Sequence, residues 1–589
     1  MGIGLWLQRC TPGVSSLVII FLLGFSNTRL SAADAQESTD DTGLGRQRLT
    51  FSEGFFIFYS IFLHIVISAL PLRTFRGARL ATQQIQAALE ASQQESDQNE
   101  NTQGRSHQSS PSELIHVSII PSYKESLETL QDTLKLLASH RLAKSTYDIF
   151  LAMEERDPHA IEVAEALVSK FSPSFLDIQY CAHPSDIPGE SQGKSANVAW
   201  AARAVESKYQ GRPNFRDVLV TVMDSDTHLL ETYYSLIQQR HLALRRQSDL
   251  AAITLYCAPF VFDRNPHLVP TLVRAADMGW SCAGLACYKR PGEYHGVAIP
   301  TSVYTLPLDL ASSIGGWDTG PGAIGEDMHM MLKCYFATNG RLNIESIPSP
   351  ASMSNVTGGP TGWSGWLHNH KARYFQGLRH MWGSLDSGYA VARWCQMGVS
   401  SPDGNTGHTS TKDDTKSRSS LGIEPVDVCG SKVRFVWLRN AVLFLRLFEA
   451  HIFPLHFMCI LAASSYYSSH LNTSKASPYM EIVLKLTEYA RTANGVLMAI
   501  CLFTAYADFH KVCVQARQWE MRKAGLHDFT FQSSTRERWS LGSILDILSL
   551  PVASMLFGTL PLLQAVFSHF WSDRLLYRVS GKPTKSHSS

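Results

Sequence analysis

The chain has 589 residues, of which 17% are charged, a smaller share than the roughly 25% found in ordinary globular proteins. Its 52 Lys and Arg residues balance 51 Asp and Glu residues, so the formal net charge is only +1. This balance argues against electrostatic binding of nucleic acid along the whole chain. The 11 cysteines form no Cys-x-x-Cys pair, which argues against a disulfide scaffold or a zinc site and favours a reducing compartment.

Two apolar segments lie near the N-terminus. Residues 1–33 contain a short apolar run followed by small residues, a pattern typical of either a signal peptide or a first anchor. Residues 51–72 predict a transmembrane helix. Because Arg73 and Arg76 follow it, the positive-inside rule places the next part of the chain in the cytosol. Residues 80–112 are rich in Gln, Ser, Asn and Glu, and predict a short helix followed by a disordered linker.

Residues 113–398 alternate short apolar runs with amphipathic helical stretches. The strand-like runs are 115–120, 148–153, 176–181 and 218–223. Repeated strand and helix of this kind builds a mostly parallel sheet covered by helices. The pattern therefore predicts one α/β domain, joined to a helical membrane domain that spans the bilayer several times.

The C-terminal third begins with a polar stretch, 399–432, which predicts a disordered insertion. Residues 433–578 then predict a membrane domain, and 579–589 form a tail. Its apolar segments are 440–466, 491–509 and 541–571. The last is too long for one straight span and too short for two, so the side of the C-terminus stays open. The basic loop before it is expected in the cytosol, which puts the loop between the first two segments on the outer or lumenal side.

Two features of this region bear on topology. Asn472 begins an Asn-x-Ser/Thr triplet on the expected outer side and predicts glycosylation, whereas Asn355 lies on the cytosolic side and is expected to stay bare. Arg446 and Glu449 would be costly in lipid, so they pair within protein or mark an acceptor path, or their segment begins as an interfacial helix. We favour the interfacial helix, with the span starting nearer Ile452.

The most informative motif is Asp-Ser-Asp at the end of the apolar run 218–223. Asp224 and Asp226 would lie at the carboxyl edge of the sheet, where open α/β folds bind ligands. Neighbouring carboxylates repel unless a cation lies between them, and a hard divalent ion that bridges substrate phosphates suits the site. Taken alone, such a pair is more often two solvated acids that end a strand.

Further polar motifs follow the other predicted elements. They are Tyr123 and Glu125 after the first strand, Glu154 and Glu155 after the second, Lys194 at a helix start, Gly-Gly-Trp-Asp at 315–318, Glu326 and Asp327 in Gly-Glu-Asp, and Gln376, Arg379 and Trp382 in Gln-Gly-Leu-Arg-His-Met-Trp. This ordered set resembles the family 2 glycosyltransferases with the GT-A fold. The resemblance is to the membrane-embedded branch that includes cellulose, chitin and hyaluronan synthases and ceramide glucosyltransferases.

The resemblance implies roles in binding a nucleotide-sugar, with UDP as the family's commonest carrier. The residues that would contact the nucleoside are Tyr123, Glu125 and one or both of Glu154 and Glu155. Lys194 and Asp224 would contact the diphosphate, and Asp224 with Asp226 would hold Mg²⁺ or Mn²⁺.

The resemblance also implies that Asp327 is the general base. The residues expected at the acceptor and diphosphate are Glu326, Gln376, Arg379 and Trp382. His380 stands where the family has Trp in Gln-x-x-Arg-Trp, which favours transfer of one or a few sugars over processive synthesis.

Physical chemistry supports the same reaction. Negative charge develops on the departing phosphate, and a divalent cation with Lys194 and Arg379 would neutralise it. An acceptor hydroxyl needs a base, and one base opposite the leaving group gives inversion. We therefore expect a multi-pass membrane glycosyltransferase in the plasma membrane, endoplasmic reticulum or Golgi, with a cytosolic catalytic domain and a lipid or glycan acceptor. The alternatives are a processive polysaccharide synthase coupled to export and a membrane transport or scaffold protein with a relic domain.

Overall fold

The computed structural model describes residues 3–36, 51–101, 114–211, 217–357, 362–399, 432–470, 478–526 and 539–575. Most of the predicted insertion, the predicted tail and Asn472 therefore lie outside the described residues. The helices are α1 (Ile3–Gln36), α2 (Phe51–Asn101), α3 (Leu127–Ala138), α4 (Ala143–Thr146), α5 (Ala160–Phe171), α6 (Lys194–Tyr209), α7 (Glu231–Gln247), α8 (Thr271–Ala286), α9 (Leu308–Ser313), α10 (Glu326–Ala337), α11 (Gly362–Trp382), α12 (Leu385–Val399), α13 (Lys432–His451), α14 (Phe453–His470), α15 (Pro478–Cys501), α16 (Ala507–Lys523), α17 (Leu541–Leu548), α18 (Leu550–Ser554) and α19 (Leu560–Ser568). The strands are β1 (Ile115–Ser122), β2 (Tyr147–Glu154), β3 (Asp177–His183), β4 (Val218–Val222), β5 (Thr254–Cys257), β6 (Phe260–Phe262), β7 (Tyr304–Pro307), β8 (Asn343–Ser346) and β9 (Ala351–Met353).

Seven strands form one sheet in the order β3-β2-β1-β4-β7-β5-β8. The pairs β1–β2, β1–β4, β2–β3 and β5–β8 are parallel, whereas β7 runs antiparallel to both β4 and β5. Strands β6 and β9 form a separate parallel pair. The predicted α/β fold with a mostly parallel, helix-covered sheet is therefore confirmed, and the antiparallel β7 is an addition that the sequence pattern did not reveal.

Both faces of the sheet are buried, which explains why its strands are apolar along their whole length. Along β2, Phe150 belongs to one hydrophobic core, whereas its neighbours Ile149 and Leu151 belong to another on the opposite face. Because β1, β2 and β4 are parallel, their carboxyl ends meet at one edge of the sheet. The polar motifs that follow these strands are thereby brought to the same edge.

Helix α2 is longer than the sequence predicted. It runs for 51 residues and continues past the predicted membrane span, so the expected linker is helical as far as Asn101. The helix packs closely on α8, because a Cβ atom on Gly77 would lie 1.8 Å from the Leu285 carbonyl oxygen. Arg73 binds Glu449 of α13 at 2.7 Å. These contacts hold the polar half of α2 against the protein.

Several helices are apolar enough to form a membrane domain. Among the described residues, four are long and apolar enough to cross a membrane: Ile3–Gly24, Glu53–Asp97, Tyr479–Lys523 and Leu550–Ser568. Helices α13 and α14, bent by 62° at their junction, would add a fifth if they count as one span. This finding is consistent with the predicted membrane protein.

Helix α13 contains the polar residues that would be costly in lipid. Glu449 lies between two cations, 2.7 Å from Arg446 and 2.7 Å from Arg73. Leu443 and Leu447 are fully buried in the core that also contains the sheet. Helix α13 is thus packed against the α/β domain, and the interfacial start of this segment stays a prediction.

The first helix is integrated into the fold. Cys10 is fully buried, and the indole N–H of Trp6 donates to the Phe570 carbonyl at 3.1 Å. A Cβ atom on Gly388 of α12 would lie only 1.8 Å from the Gln8 carbonyl oxygen, so the two backbones are nearly in contact. This packing joins α1 to α12 and to the C-terminal segment.

We predict that Gly388→Ala destabilises the protein, although Gly→Ala in a helix normally adds about 1 kcal/mol of stability. The added methyl group would overlap the Gln8 carbonyl, and overpacking of this kind costs about 1–3 kcal/mol. The measurement is the thermal midpoint of the detergent-solubilised protein. Gly4→Ala, at a position with nothing within 4 Å of the new Cβ, is the control. Equal midpoints for the two variants would contradict the close contact between α1 and α12.

Candidate active site

A cluster of charged residues lies at the carboxyl edge of the sheet. Lys194 is the first residue of α6, and its Nζ lies 2.8 Å from Asp224 Oδ1 and 3.2 Å from Glu326 Oε2. Asp327 follows Glu326 in the first turn of α10. The fold therefore brings together four of the predicted site residues from three separate parts of the sequence.

The pKa values of Lys194 and Glu326 depend on the charges of their neighbours in this cluster. Burial alone would lower the pKa of Lys194, but the negative charges of Asp224, Glu326 and Asp327 outweigh it and raise the pKa, so the ammonium stays charged. Burial raises the pKa of Glu326, and the positive charge of Lys194 opposes this effect. The Glu326 side chain is only 1% exposed, whereas that of Asp224 is 30% exposed and accessible to a ligand.

Asp327 is held by backbone donors. Its Oδ2 accepts a hydrogen bond from the Ser302 N–H at 2.7 Å, and its Oδ1 accepts one from the Met328 N–H at 2.8 Å. Ser302 has a φ of 61°, a left-handed conformation that is uncommon for a residue other than glycine. This local strain turns the Ser302 N–H toward the carboxylate, which remains partly exposed.

Two aromatic residues of the cluster had no role predicted from the sequence. The Tyr304 hydroxyl donates to Glu326 and accepts a hydrogen bond from Trp317 Nε1 at 2.6 Å. Tyr304 lies on the antiparallel strand β7, which no motif marks. Trp317 belongs to the Gly-Gly-Trp-Asp stretch, where φ angles of 83° at Gly315 and 67° at Gly316 turn the chain back toward the sheet.

The ends of β1 and β2 form a second part of the site. Arg156 lies over the Tyr123 ring, with its guanidinium carbon 4.4 Å from the ring centre, and it forms an ion pair with Glu154. Glu154 is buried, whereas Glu155 is exposed and its backbone N–H donates to the His183 carbonyl at 3.1 Å. Glu125, in the turn after β1, is partly exposed. The structure thus separates the two adjacent glutamates, and Arg156 is a further candidate that the motif search missed.

The donor set at the end of β4 fits a divalent ion that also binds substrate. Asp226 is buried, and Arg264 donates to its backbone carbonyl. Across the part of the chain that the structure describes, no group of three or more His, Cys, Asp or Glu side chains could hold a metal. Two carboxylates with water and substrate phosphates are the usual ligand set of Mg²⁺. Asp224 and Asp226 therefore fit a metal bound together with a diphosphate.

Helix α11 brings the Gln-Gly-Leu-Arg-His segment toward the cluster. The His380 ring stacks on Trp280 of α8, with ring centres 5.0 Å apart. Burial lowers the pKa of His380, the charge of Arg379 lowers it further, and the more distant Asp224 raises it slightly. His380 is therefore neutral beside Arg379. Gln376, one turn earlier, has a buried Oε1 with no hydrogen-bond partner among the described residues.

Trp382 has different surroundings from those expected of an acceptor-binding residue. Its indole N–H donates to the Asp573 carbonyl at 3.1 Å, and its ring meets that of His569 edge-on at 4.8 Å. The side chain is buried among Leu378 and Leu385. These contacts join α11 to the C-terminal segment and give no support to the predicted role of Trp382 in binding acceptor.

Comparison with known proteins adds an independent finding. Residues 219–507 match the family model described as Glycosyl transferase family group 2. The match includes both strand-end aspartates and the Glu-Asp motif, and it supports a family 2 glycosyltransferase domain in this chain. No curated protein sequence matches the chain.

Two solved structures resemble parts of the chain. One is the mannosyltransferase PcManGT from Pyrobaculum calidifontis in complex with GDP-Man and Mn²⁺, with 12% identity, a TM-score of 0.35, and coverage of 83% of this chain and 99% of that one. The other is a mycobacterial protein with 13% identity, a TM-score of 0.28, and coverage of 52% and 82%. At these TM-scores neither likeness carries an argument about this chain.

We predict that Lys194→Met destabilises the protein at pH 7 by about 3 kcal/mol, because it leaves Glu326 buried without a cation. A buried carboxylate with a raised pKa is least unfavourable when it is protonated. The deficit should therefore shrink as the pH falls toward the unfolded-state pKa of glutamate and grow as the pH rises.

The measurement is the thermal midpoint of wild type and variant between pH 5 and pH 8. The double variant Lys194→Met with Glu326→Gln should recover part of the loss, because both charges are removed together. Lys135→Met, in a partly exposed ion pair with Asp132 on α3, is the control and should leave the midpoint nearly unchanged. A deficit in Lys194→Met that does not depend on pH would contradict the coupling.

Proposed function

We propose that the chain is a membrane-bound inverting glycosyltransferase that transfers a sugar from a cytosolic nucleotide-sugar, in the first instance a UDP-sugar, to a lipid or glycan acceptor at the membrane. The observation that carries the proposal is the single cluster of Lys194, Asp224, Glu326 and Asp327 at the carboxyl edge of the sheet. The match of residues 219–507 to a family 2 glycosyltransferase model supports the same reaction class.

Donor binding follows from the charges in the cluster. Asp224 and Asp226 would hold Mg²⁺ or Mn²⁺, which supplies positive charge to the diphosphate when bound. Lys194 adds a fixed cation on the other side, and it can exchange its contact with Asp224 for one with a phosphate oxygen. Tyr123, at the end of β1, offers an aromatic surface to the nucleoside beside Arg156.

The two acids of the Glu-Asp motif have different roles in this proposal. Glu326 is buried, forms an ion pair with Lys194 and accepts a hydrogen bond from Tyr304, so its role is to hold the cluster together. Asp327 is partly exposed, and its carboxylate can accept the proton of an acceptor hydroxyl. The hydroxyl oxygen then bonds to the anomeric carbon as the bond from that carbon to phosphate oxygen breaks. A single displacement of this kind inverts the anomeric configuration, and the nucleoside diphosphate leaves.

An acceptor held at the membrane face is supported by the surface between α8 and α11. A cavity of about 420 Å³ lies there, and its lining includes Leu272, Trp366 and His370. The ring of Trp366 stacks on that of Trp363, which is 73% exposed. Exposed tryptophans of this kind are typical of membrane interfaces. Since α11 also contains His380, the same helix extends from this cavity to the charged cluster.

The proposal is tested first by replacing the base. We predict that Asp327→Asn lowers transfer by at least about a thousandfold, because the amide keeps the size of the side chain but cannot take a proton. Donor binding should remain. The measurement is release of nucleoside diphosphate from UDP-glucose, UDP-N-acetylglucosamine or GDP-mannose by purified membranes that contain the protein and supply the lipid and glycan acceptors.

Asp224→Asn is the matched comparison, since it should abolish metal-dependent binding of the nucleotide as well as transfer. Full activity in Asp327→Asn would refute the proposed base. Absence of Mg²⁺-dependent or Mn²⁺-dependent nucleotide binding in the wild-type protein would favour the alternative of a transport or scaffold protein with an inactive domain.

We further propose a topology in which the last apolar segment, Leu550–Ser568, does not cross the membrane. Arg274 of α8 binds Asp546 before this helix at 2.9 Å, and Trp382 of α11 donates to the Asp573 carbonyl after it. Between them, a Cβ atom on Gly377 would lie 2.4 Å from the Phe557 carbonyl oxygen. Contacts with the α/β domain at both ends and at the middle support a helix that lies along the membrane surface.

The crossing helices in this topology are α1, α2, α14 and α15. Ile19 of α1, Phe56 of α2, Ile460 of α14 and Met480 of α15 pack together in one apolar cluster. In contrast, Trp6 at the start of α1 contacts Phe570 beside the α/β domain. Both ends of the chain would then lie in the cytosol with the catalytic domain.

We predict that a tag at the C-terminus is accessible to protease on the cytosolic face of sealed microsomes. Asn472→Gln should remove a glycan from the expressed protein, because this residue would lie in the outer loop between α14 and α15. Asn355→Gln is the control and should not change glycosylation, since Asn355 is buried and donates to Asp277 at 2.6 Å. A protected C-terminal tag would show that the last helix crosses the bilayer.

A further inference from the structure

A second charged cluster lies behind the proposed base. His329 is two residues after Asp327 on α10, and its side chain is 7% exposed. Its Nε2 lies 3.0 Å from Asp318 Oδ2, and its Nδ1 lies 2.5 Å from Asp386 Oδ1. The imidazole therefore bridges two carboxylates that belong to different parts of the chain.

The hydrogen-bond pattern fixes the charge of this imidazole. A neutral histidine can donate from only one ring nitrogen, and a carboxylate faces each nitrogen of His329. With both carboxylates ionised, the two contacts are hydrogen bonds only when the ring is an imidazolium. Burial would lower the pKa of His329, but the charges of Asp386 and Asp318 and their hydrogen bonds outweigh it and raise the pKa to about 9.

The first carboxylate joins this imidazolium to the donor side of the site. Asp318 ends the Gly-Gly-Trp-Asp loop, and it also forms an ion pair with Lys333, one turn after His329. The Asp318 carbonyl accepts a hydrogen bond from Ser195 Oγ at 2.6 Å. Ser195 is next to Lys194, and Trp317 of the same loop binds Tyr304. Movement of this loop would therefore displace residues on both sides of the charged cluster.

The second carboxylate joins the imidazolium to α12. Asp386 is fully buried, and its Oδ2 has no hydrogen-bond partner among the described residues. The other groups around His329 are the ring of Tyr389, centred 4.6 Å away, and the charge of Asp327, which acts on Asp386. Arg393 donates to the Tyr389 hydroxyl at 3.3 Å. Without the positive charge of His329, Asp386 would be an uncompensated buried carboxylate, which strongly destabilises the folded state.

We propose that His329 is a positioning residue of the transfer reaction, which joins α10, α12 and the Gly-Gly-Trp-Asp loop through an imidazolium held between Asp318 and Asp386. This inference rests on the proposed function, because the residue that it positions is the base, Asp327. His329 does not touch substrate in this role. It fixes the distance between the proton acceptor and the residues that hold the diphosphate.

The test compares His329→Gln with wild type in two measurements. Gln keeps a hydrogen-bond donor but loses the charge. We expect the substitution to displace Asp327 by up to about 1 Å. This displacement should lower kcat by about tenfold to a hundredfold, while the KM for the donor changes much less. The donors are UDP-glucose, UDP-N-acetylglucosamine and GDP-mannose, each assayed for release of nucleoside diphosphate in purified membranes that supply the acceptor.

The second measurement is the thermal midpoint between pH 6 and pH 10, which does not depend on activity. Because the pKa of His329 is raised on folding, its stabilisation is full below the unfolded-state value and is lost as the pH rises through about 9. The midpoint of His329→Gln should be below wild type at pH 7, and the difference should shrink toward pH 10. His159→Gln, at an exposed histidine, is the control and should match wild type.

A double variant separates positioning from general damage to the fold. His329→Gln with Asp386→Asn removes both charges, and it should regain part of the midpoint and part of kcat relative to His329→Gln alone. Losses in the double variant equal to the sum of the single losses would overturn the proposal, as would an unchanged kcat in His329→Gln. If wild type released no nucleoside diphosphate from any donor, the proposed function would fail, whereas the pH-dependent midpoint would still decide whether the imidazolium bridge exists.

Discussion

The positive charge of Lys194 allows two carboxylates from distant parts of the chain to share one partly closed space. Glu326 is almost completely buried, and Asp224 lies on the other side of the ammonium. Two acids in such an environment would otherwise repel each other or become protonated. The ammonium therefore sets the relative position of β4 and α10, and with it the position of Asp327. In the proposed function a phosphate-bearing ligand uses the same positive charge, so the interaction that holds the cluster together also prepares it for substrate.

The rest of the α/β domain supports this cluster through buried polar contacts. Asp277 of α8 binds Arg373 of α11 at 2.9 Å and accepts a hydrogen bond from Asn355, and all three side chains are almost fully buried. These contacts fix α11 against α8 near the stacked pair of His380 and Trp280. Buried ion pairs add little net stability but tolerate few alternative arrangements. These contacts therefore specify the position of α11 against α8.

The membrane-facing helices are coupled to the same domain. Glu520 of α16 accepts a hydrogen bond from the backbone N–H of Glu231 at 2.6 Å, at the N-terminus of α7, where no local side chain provides a cap. Arg517, also on α16, forms a buried ion pair with Asp263 at 3.1 Å. Its neighbour Arg264 binds the Asp226 carbonyl. Helix α16, which follows α15 in the chain, is thus linked through few residues to the end of β4.

The sequence by itself determined the strand-like runs, the order of polar motifs after them and the apolar segments, because these depend on local periodicity and composition. It therefore predicted the parallel part of the sheet and most of the charged cluster, including Lys194 and Asp327. Only the tertiary structure decided that Tyr304 joins Glu326, that His329 lies between two carboxylates and that Trp382 packs on the C-terminal segment. The antiparallel pairing of β7 and the contacts between helices distant in sequence bring these residues together, and neither has a local signal.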